Sequence, residues 1–203
     1  MAFSDFQYPD VLKQLGLTFA SASDLFAAVP SVSAGPSLIS DLPAFSRLAL
    51  ASGTEKARSE WLIAPVLGDA WARYDGRISL YSGTGFSAEP QAGLSGYVDF
   101  LLSRSPQNVS VTPPVVILIE AKNENIAGGL GQCIAAMVGA QRWNLREGTP
   151  CDPVYGCTTS GSVWKFLQLS GTTLTLDLNE YTITQLDRIL GILIHMIGVP
   201  PTR

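Results

Sequence analysis

The chain has 203 residues, 46% of them hydrophobic, enough for one ordinary globular domain with a sizeable core. A formal charge of -4 and a pI near 4.9 exclude the global basic field that announces nucleic-acid binding, so any such contact has to come from a local patch. Cys133, Cys151 and Cys157 form no paired C-x-x-C motifs, which excludes a zinc-finger reading and leaves buried thiols suited to a reducing compartment.

The start, Met1-Ala2-Phe3-Ser4-Asp5, lacks a basic segment followed by an apolar signal core, and the apolar run from Ile189 to Val199 is too short to span a bilayer. The expectation is a soluble, cytoplasmic protein without membrane contact. Residues 1 to 50 combine apolar clusters (Val11 to Phe19, Leu25 to Val29) with a Ser/Pro/Gly stretch from Pro30 to Pro43, which predicts short helical pieces and loop wrapping the core domain, residues 51–203. From Thr54 to about Arg73 the spacing of Ala57, Trp61, Ala64, Leu67 and Trp71 predicts a helix, with Thr54 as N-cap and Pro65 as a kink or break. Residues 77–82 alternate as a strand, and the glycine-rich stretch 83–96 predicts a mobile loop bordering a cleft.

Two apolar strands follow, Tyr97 to Leu102 and Val115 to Lys122. A helix is expected from about Ile126 to Leu145, then strands at 153–159, 163–169 and 173–178. A last helix spans about Thr184 to Ile197, with Thr184 and Asp187 resembling a capping box. This order predicts an α/β fold around one mixed sheet flanked by helices.

Charges at the end of a run as apolar as Val115 to Ile119 are poorly explained by solubility. Side chains two apart in a strand project from one face, so Glu120 and Lys122 lie side by side with Ala121 turned away. Asp99, in the other apolar strand, can join them if the two strands pair. The plainer alternative is an ion pair at a sheet edge.

Asp99 followed by Glu120-Ala121-Lys122 after a hydrophobic strand resembles the PD-(D/E)xK nuclease superfamily, which has the restriction-endonuclease-like fold. The resemblance covers roughly residues 54 to 197; Val98 stands where the family has its proline, which supplies no ligand atom. It implies that Glu60, on the first core helix, joins the metal shell and that Gln132, on the helix after the strand, lies near the site. The sequence agrees in spacing. Glu60 shares a stripe with Ala57, Ile63, Ala64 and Leu67, although Lys56 at i-4 is an alternative partner. Gln132 shares one with Gly129, Ala135, Ala136 and Gly139, small residues that would let the helix approach the sheet, and a purely structural polar role is the alternative.

The implied chemistry is phosphodiester hydrolysis of DNA. Asp99, Glu120, the Ala121 carbonyl and Glu60 would hold Mg²⁺, or Mn²⁺, in one or two positions. Lys122 would orient or help deprotonate the attacking water and offset charge on the phosphorane. A homodimer is compatible with the exposed helical segments. The alternative function is a non-catalytic nucleic-acid-binding or protein-interaction module that keeps the fold, favoured by the acidic balance and only 13 Lys and Arg.

Other features carry less. Pro9-Asp10 precedes a helical pattern far from any acid-x-Lys strand. Gly128 to Gly131 lacks the Gly-Lys-Ser/Thr of a phosphate loop. His195, the single histidine, has no Ser or Cys elbow beside it and reads as structural or interfacial. Arg142, Trp143 and Arg146 end a helix and suit either a phosphate backbone or a solvated helix end.

Overall fold

The apolar run Val115 to Ile119 forms an interior strand of the sheet. In the computed structural model, which describes residues 1–106 and 109–202, Val115–Ala121 is a strand buried along its whole length. A strand buried on both faces reads as a continuous apolar run rather than an alternating one. Burying each side chain from Val115 to Ile119 contributes roughly 1.5–3 kcal/mol. Hydrophobicity alone leaves the register of such a strand open, and polar contacts at its two ends set it. At the start, the buried Asn144 side chain takes both backbone groups of Val115, accepting from its N–H at 2.8 Å and donating to its carbonyl at 2.6 Å.

The elements in chain order are α1 (Asp10–Gln14), β1 (Thr18–Ala22), α2 (Pro36–Ser52), α3 (Glu55–Arg58), α4 (Ala64–Ala72), β2 (Ser79–Glu89), β3 (Leu94–Ser103), β4 (Val115–Ala121), α5 (Leu130–Arg146), β5 (Val154–Thr159), β6 (Val163–Ser170), β7 (Thr173–Asp177), β8 (Tyr181–Thr182) and α6 (Leu186–Ile197). The eight-stranded mixed sheet runs β1-β7-β6-β5-β4-β3-β2, with β8 on β6. Strands β2, β3 and β4 are antiparallel neighbours. The crossover through α5 makes β5 parallel to β4. Two apolar clusters cover the two faces. One contains Leu67, Trp164, Phe166 and Ile192 under α4 and α6; the other contains Leu118, Cys133, Met137 and Leu167 under α5. No helix among the described residues is long and apolar enough to cross a membrane.

Several expectations hold and several are corrected. Thr54 caps α3 by accepting from the Ala57 N–H at 3.1 Å, and all three cysteines are free and buried. The region before Pro65 continues as a π-helical turn, Ser59–Ile63, between α3 and α4. Pro65 brings no N–H, and the widened turn absorbs it where the sequence suggested a kink. The stretch 83–96 is a hairpin rather than a mobile loop. Gly93, at φ 78°, closes the tight turn Pro90–Ala92, and Phe86, Ala88 and Leu94 are buried. The glycines there serve turns and a change of strand face, where the sequence suggested chain breaks.

The N-terminal segment does more than wrap the core: β1 extends the sheet parallel to β7, and α2 is one 17-residue helix through Pro43. The capping box before α6 uses Thr182 and Gln185. Asp187 instead accepts from the Ala34 N–H at 3.1 Å, tying the N-terminal segment to α6. The small residues of α5 are also differently employed. A Cβ on Gly131 would strike the Phe6 carbonyl and lie 2.7 Å from Gln7 Cα, and one on Gly139 would lie 3.2 Å from Phe3 Cε1. These two glycines admit the N-terminal segment. Close approach of α5 to the sheet depends on Gly156 of β5, where a Cβ would lie 2.9 Å from Cys133 Sγ.

Candidate metal-dependent active site

Asp99 stands where β3 leaves β4. The register pairs Phe100 with Ile119 on β4, and Phe100 with Ser82 and Val98 with Thr84 on β2. Val98 and Phe100 belong to opposite clusters although they are two residues apart. A strand that changes face must twist sharply, and Gly83, between the partners of Phe100 and Val98, has φ 58°, which a side chain would disfavour. The twist leaves the Asp99 carboxylate to replace a ladder partner: its Oδ2 accepts from the Ala121 N–H at 2.8 Å. On the other side of β4, the Lys122 N–H donates to the Thr159 carbonyl at 2.8 Å. The end of β4 is thereby held from both neighbours.

Glu120 projects toward α5 and is 4% exposed. A Cβ on Gly129, the last residue of the 3-10 turn before α5, would lie 3.2 Å from Glu120 Cγ and 3.1 Å from Lys122 Cε. The helix start therefore roofs the pair, and a side chain at Gly129 would press on both. Lys122 Nζ donates to Glu120 Oε1 at 2.6 Å.

The electrostatics follow from burial and crowding. Burial and then the adjacent Asp99 charge push the Glu120 carboxyl up to about 8, against the opposing pull of Lys122. Burial alone would lower Lys122, but the hydrogen bond and charge of Glu120, with Glu55 and Asp99 beyond, outweigh it and raise its pKa. With no cation bound, Glu120 keeps a proton near neutral pH and Lys122 keeps its charge.

The donor set suits a hard cation. The Asp99 charge acts on Glu120, the space under Gly129 is free of a Cβ, and the buried hydroxyl of Thr158, the register partner of Glu120, has no hydrogen-bond partner among the described residues. Among the described residues no group of three or more His, Cys, Asp or Glu side chains is placed to hold a metal. Two carboxylates and a backbone carbonyl match Mg²⁺, which retains several waters, better than a metal caged wholly by protein.

The remaining expected residues divide. Glu60 lies on the π-helical turn, half exposed, and pairs with Lys56 at 2.9 Å. The extra residue in that turn rotates Glu60 off the inward stripe formed by Ala57, Ile63 and Leu67. Glu55 is the helix carboxylate that acts electrostatically on Lys122. No sequence signal distinguished it from an ordinary first-turn acid. Gln132, in the first turn of α5, is half-buried and makes no side-chain hydrogen bond among the described residues.

Arg58 is a second residue missed by sequence reasoning. Its guanidinium donates to Asn123 Oδ1 at 3.0 Å and to the Ser160 carbonyl and Ser162 Oγ at 3.2 Å, clamping the loops that leave β4 and β5. Arg142 pairs with Glu89 at 2.8 Å, Arg146 donates to the Ala88 carbonyl at 2.7 Å and Trp143 packs edge-on against Phe86, so this group anchors the β2–β3 hairpin. Exposed His195 stacks edge-on near Phe26 and Tyr155, a structural role. Comparisons of the chain with protein-family models, with curated proteins and with solved structures find no match.

Proposed function

We propose that this protein is a Mg²⁺-dependent nuclease of the PD-(D/E)xK type, built on a restriction-endonuclease-like fold and acting on DNA. The observation that carries the reading is the meeting of Asp99, Glu120 and Lys122 at one end of β4, on two consecutive antiparallel strands. The connectivity supports it: a helix, three antiparallel strands, the crossover helix α5, and β5 parallel to β4. The three buried free thiols support the expected reducing, cytoplasmic setting.

Asp99 and Glu120, with the Ala121 carbonyl, would hold the cation, which when bound supplies positive charge to phosphate oxygens and acidifies water. Glu120 must release its proton to do so. Lys122, kept protonated by its carboxylate neighbours, serves as an electrostatic group: it orients the attacking water and neutralises charge on the phosphorane. Glu60, committed to Lys56 at the surface, is a weaker candidate for a second position than Glu55.

The test is cleavage of plasmid, single-stranded DNA and RNA in Mg²⁺ or Mn²⁺ by the wild type, Asp99→Ala and Lys122→Ala. The wild type should cut, and each variant should lose about 100-fold or more. Equal trace cleavage by all three sinks the enzyme reading.

A second reading, a non-catalytic interaction module, is favoured by where the cations go. Among the described Lys and Arg residues only Lys13 and Arg47 lack an ion pair or side-chain hydrogen bond. Little is left to neutralise a phosphate backbone. On that reading the protein works through a partner or a second copy, and the exposed Ile39, Leu48 and Leu50 of α2 offer apolar surface for it.

A further inference from the structure

Thr158 is completely buried on β5, and its Oγ1 is the single buried side-chain N or O atom, among the described residues, without a hydrogen-bond partner. An unpaired buried hydroxyl destabilises a fold, so it calls for an explanation. Its neighbours are all satisfied: Thr159 Oγ1 donates to the Val163 carbonyl and Ser160 Oγ accepts from the Val163 N–H. Thr158 is the register partner of Glu120 across the parallel β4–β5 pair, so the two side chains leave the same face of strands about 4.8 Å apart. That face lies under α5, because Gly156, two residues earlier, abuts Cys133 and Met137. On its other side Thr158 pairs with Lys165, which reaches away to the Leu178 carbonyl at 3.4 Å and to Glu180 at 3.6 Å. Glu120 Oε1 is occupied by Lys122, and the Asp99 charge acts on the same carboxyl group.

We infer that Thr158 is a positioning residue for Glu120, its hydroxyl held unpaired in the cation-free protein and donating to the Glu120 carboxylate once a divalent cation sits between Glu120 and Asp99. The inference rests on the cation reading above and adds a residue to it. An unmatched donor raises the free energy of the empty site and is satisfied only in the loaded one. Thr158 thereby strengthens cation binding without touching the cation.

The experiment is Mn²⁺ titration calorimetry on the full chain, together with thermal unfolding in EDTA, for wild type, Thr158→Val and Thr158→Ser. Valine keeps the shape and removes the hydroxyl; serine keeps the hydroxyl. The expected result is weaker Mn²⁺ binding by Thr158→Val, by about fivefold or more, with a Tm in EDTA equal to or above that of wild type. Thr158→Ser should bind within about twofold of wild type. Unchanged Mn²⁺ affinity in Thr158→Val overturns the inference, as does equal weakening in Thr158→Ser, which would point to packing. Failure of Thr158→Val to fold also overturns it, since an unpaired hydroxyl cannot be what holds the cation-free protein together. If wild type binds no Mn²⁺, the cation reading itself fails, an outcome distinct from wild-type binding that Thr158→Val leaves intact.

Discussion

Replacing Glu120 with glutamine tests the electrostatics of the site with no cation present. In the folded protein the Glu120 carboxyl is held up to about 8 by burial and by Asp99, whereas in the unfolded chain it titrates near 4.5. The folded state therefore binds the proton more tightly than the unfolded one. The resulting stability is fully present below pH 4.5, declines as pH rises from 4.5 through 8, and is gone above. At about 1.4 kcal/mol per tenfold change in proton affinity, the full loss is up to about 5 kcal/mol. Lys122 has a raised pKa, and its own contribution is lost only above its ordinary range near 10.5, outside this window. Urea unfolding in EDTA at pH 5, 6, 7, 8 and 9 should show wild-type stability falling by several kcal/mol relative to Glu120→Gln, since the amide has no proton to lose. Parallel pH curves for the two proteins would refute the reasoning and place the Glu120 carboxyl in an ordinary, solvated setting.

Other outcomes follow from the same contacts. Gly129→Ala adds a Cβ against the flexible Lys122 and Glu120 side chains, so unfolding free energy should change by less than about 1 kcal/mol while Mn²⁺ affinity in calorimetry drops; unchanged affinity would mean the space under the helix start is unused. Gly191→Ala drives a methyl into the Pro30 carbonyl and to 3.2 Å from Ser31 Cα, which are backbone atoms with no rotamer to escape into. Chemical denaturation should register a loss of roughly 1–3 kcal/mol despite the better helix propensity of alanine, and a neutral result would mean that residues 30–31 move freely off α6.

The central strands were legible because burial on both faces leaves a long apolar run that water-exposed segments do not imitate, as in Val115 to Ile119. The side-by-side placement of Glu120 and Lys122 was equally legible, since alternation in a strand is a local property of the backbone. The hairpin at 83–96 was not. Its glycines resemble loop punctuation, and the apolar partners that make it a strand, Phe3 and Trp143, come from distant parts of the chain. Glu60 illustrates a helical period misleading by a fraction of a turn, because one π-helical turn ahead of Pro65 rotates it to the surface.

Residue order and local stereochemistry were thus enough to bring Glu120 and Lys122 to one face of a buried strand and to make Asp99 a candidate third group. Long-range packing supplied the rest. The sharp twist of β3 opposite Gly83 turns the Asp99 carboxylate onto the Ala121 N–H, the start of α5 closes over Glu120, and Thr158 arrives beside it through a parallel pairing. These placements depend on strand partners and crossovers tens of residues apart, whose geometry no local pattern encodes. The raised Glu120 pKa depends on them too, since desolvation is a property of everything packed around a group.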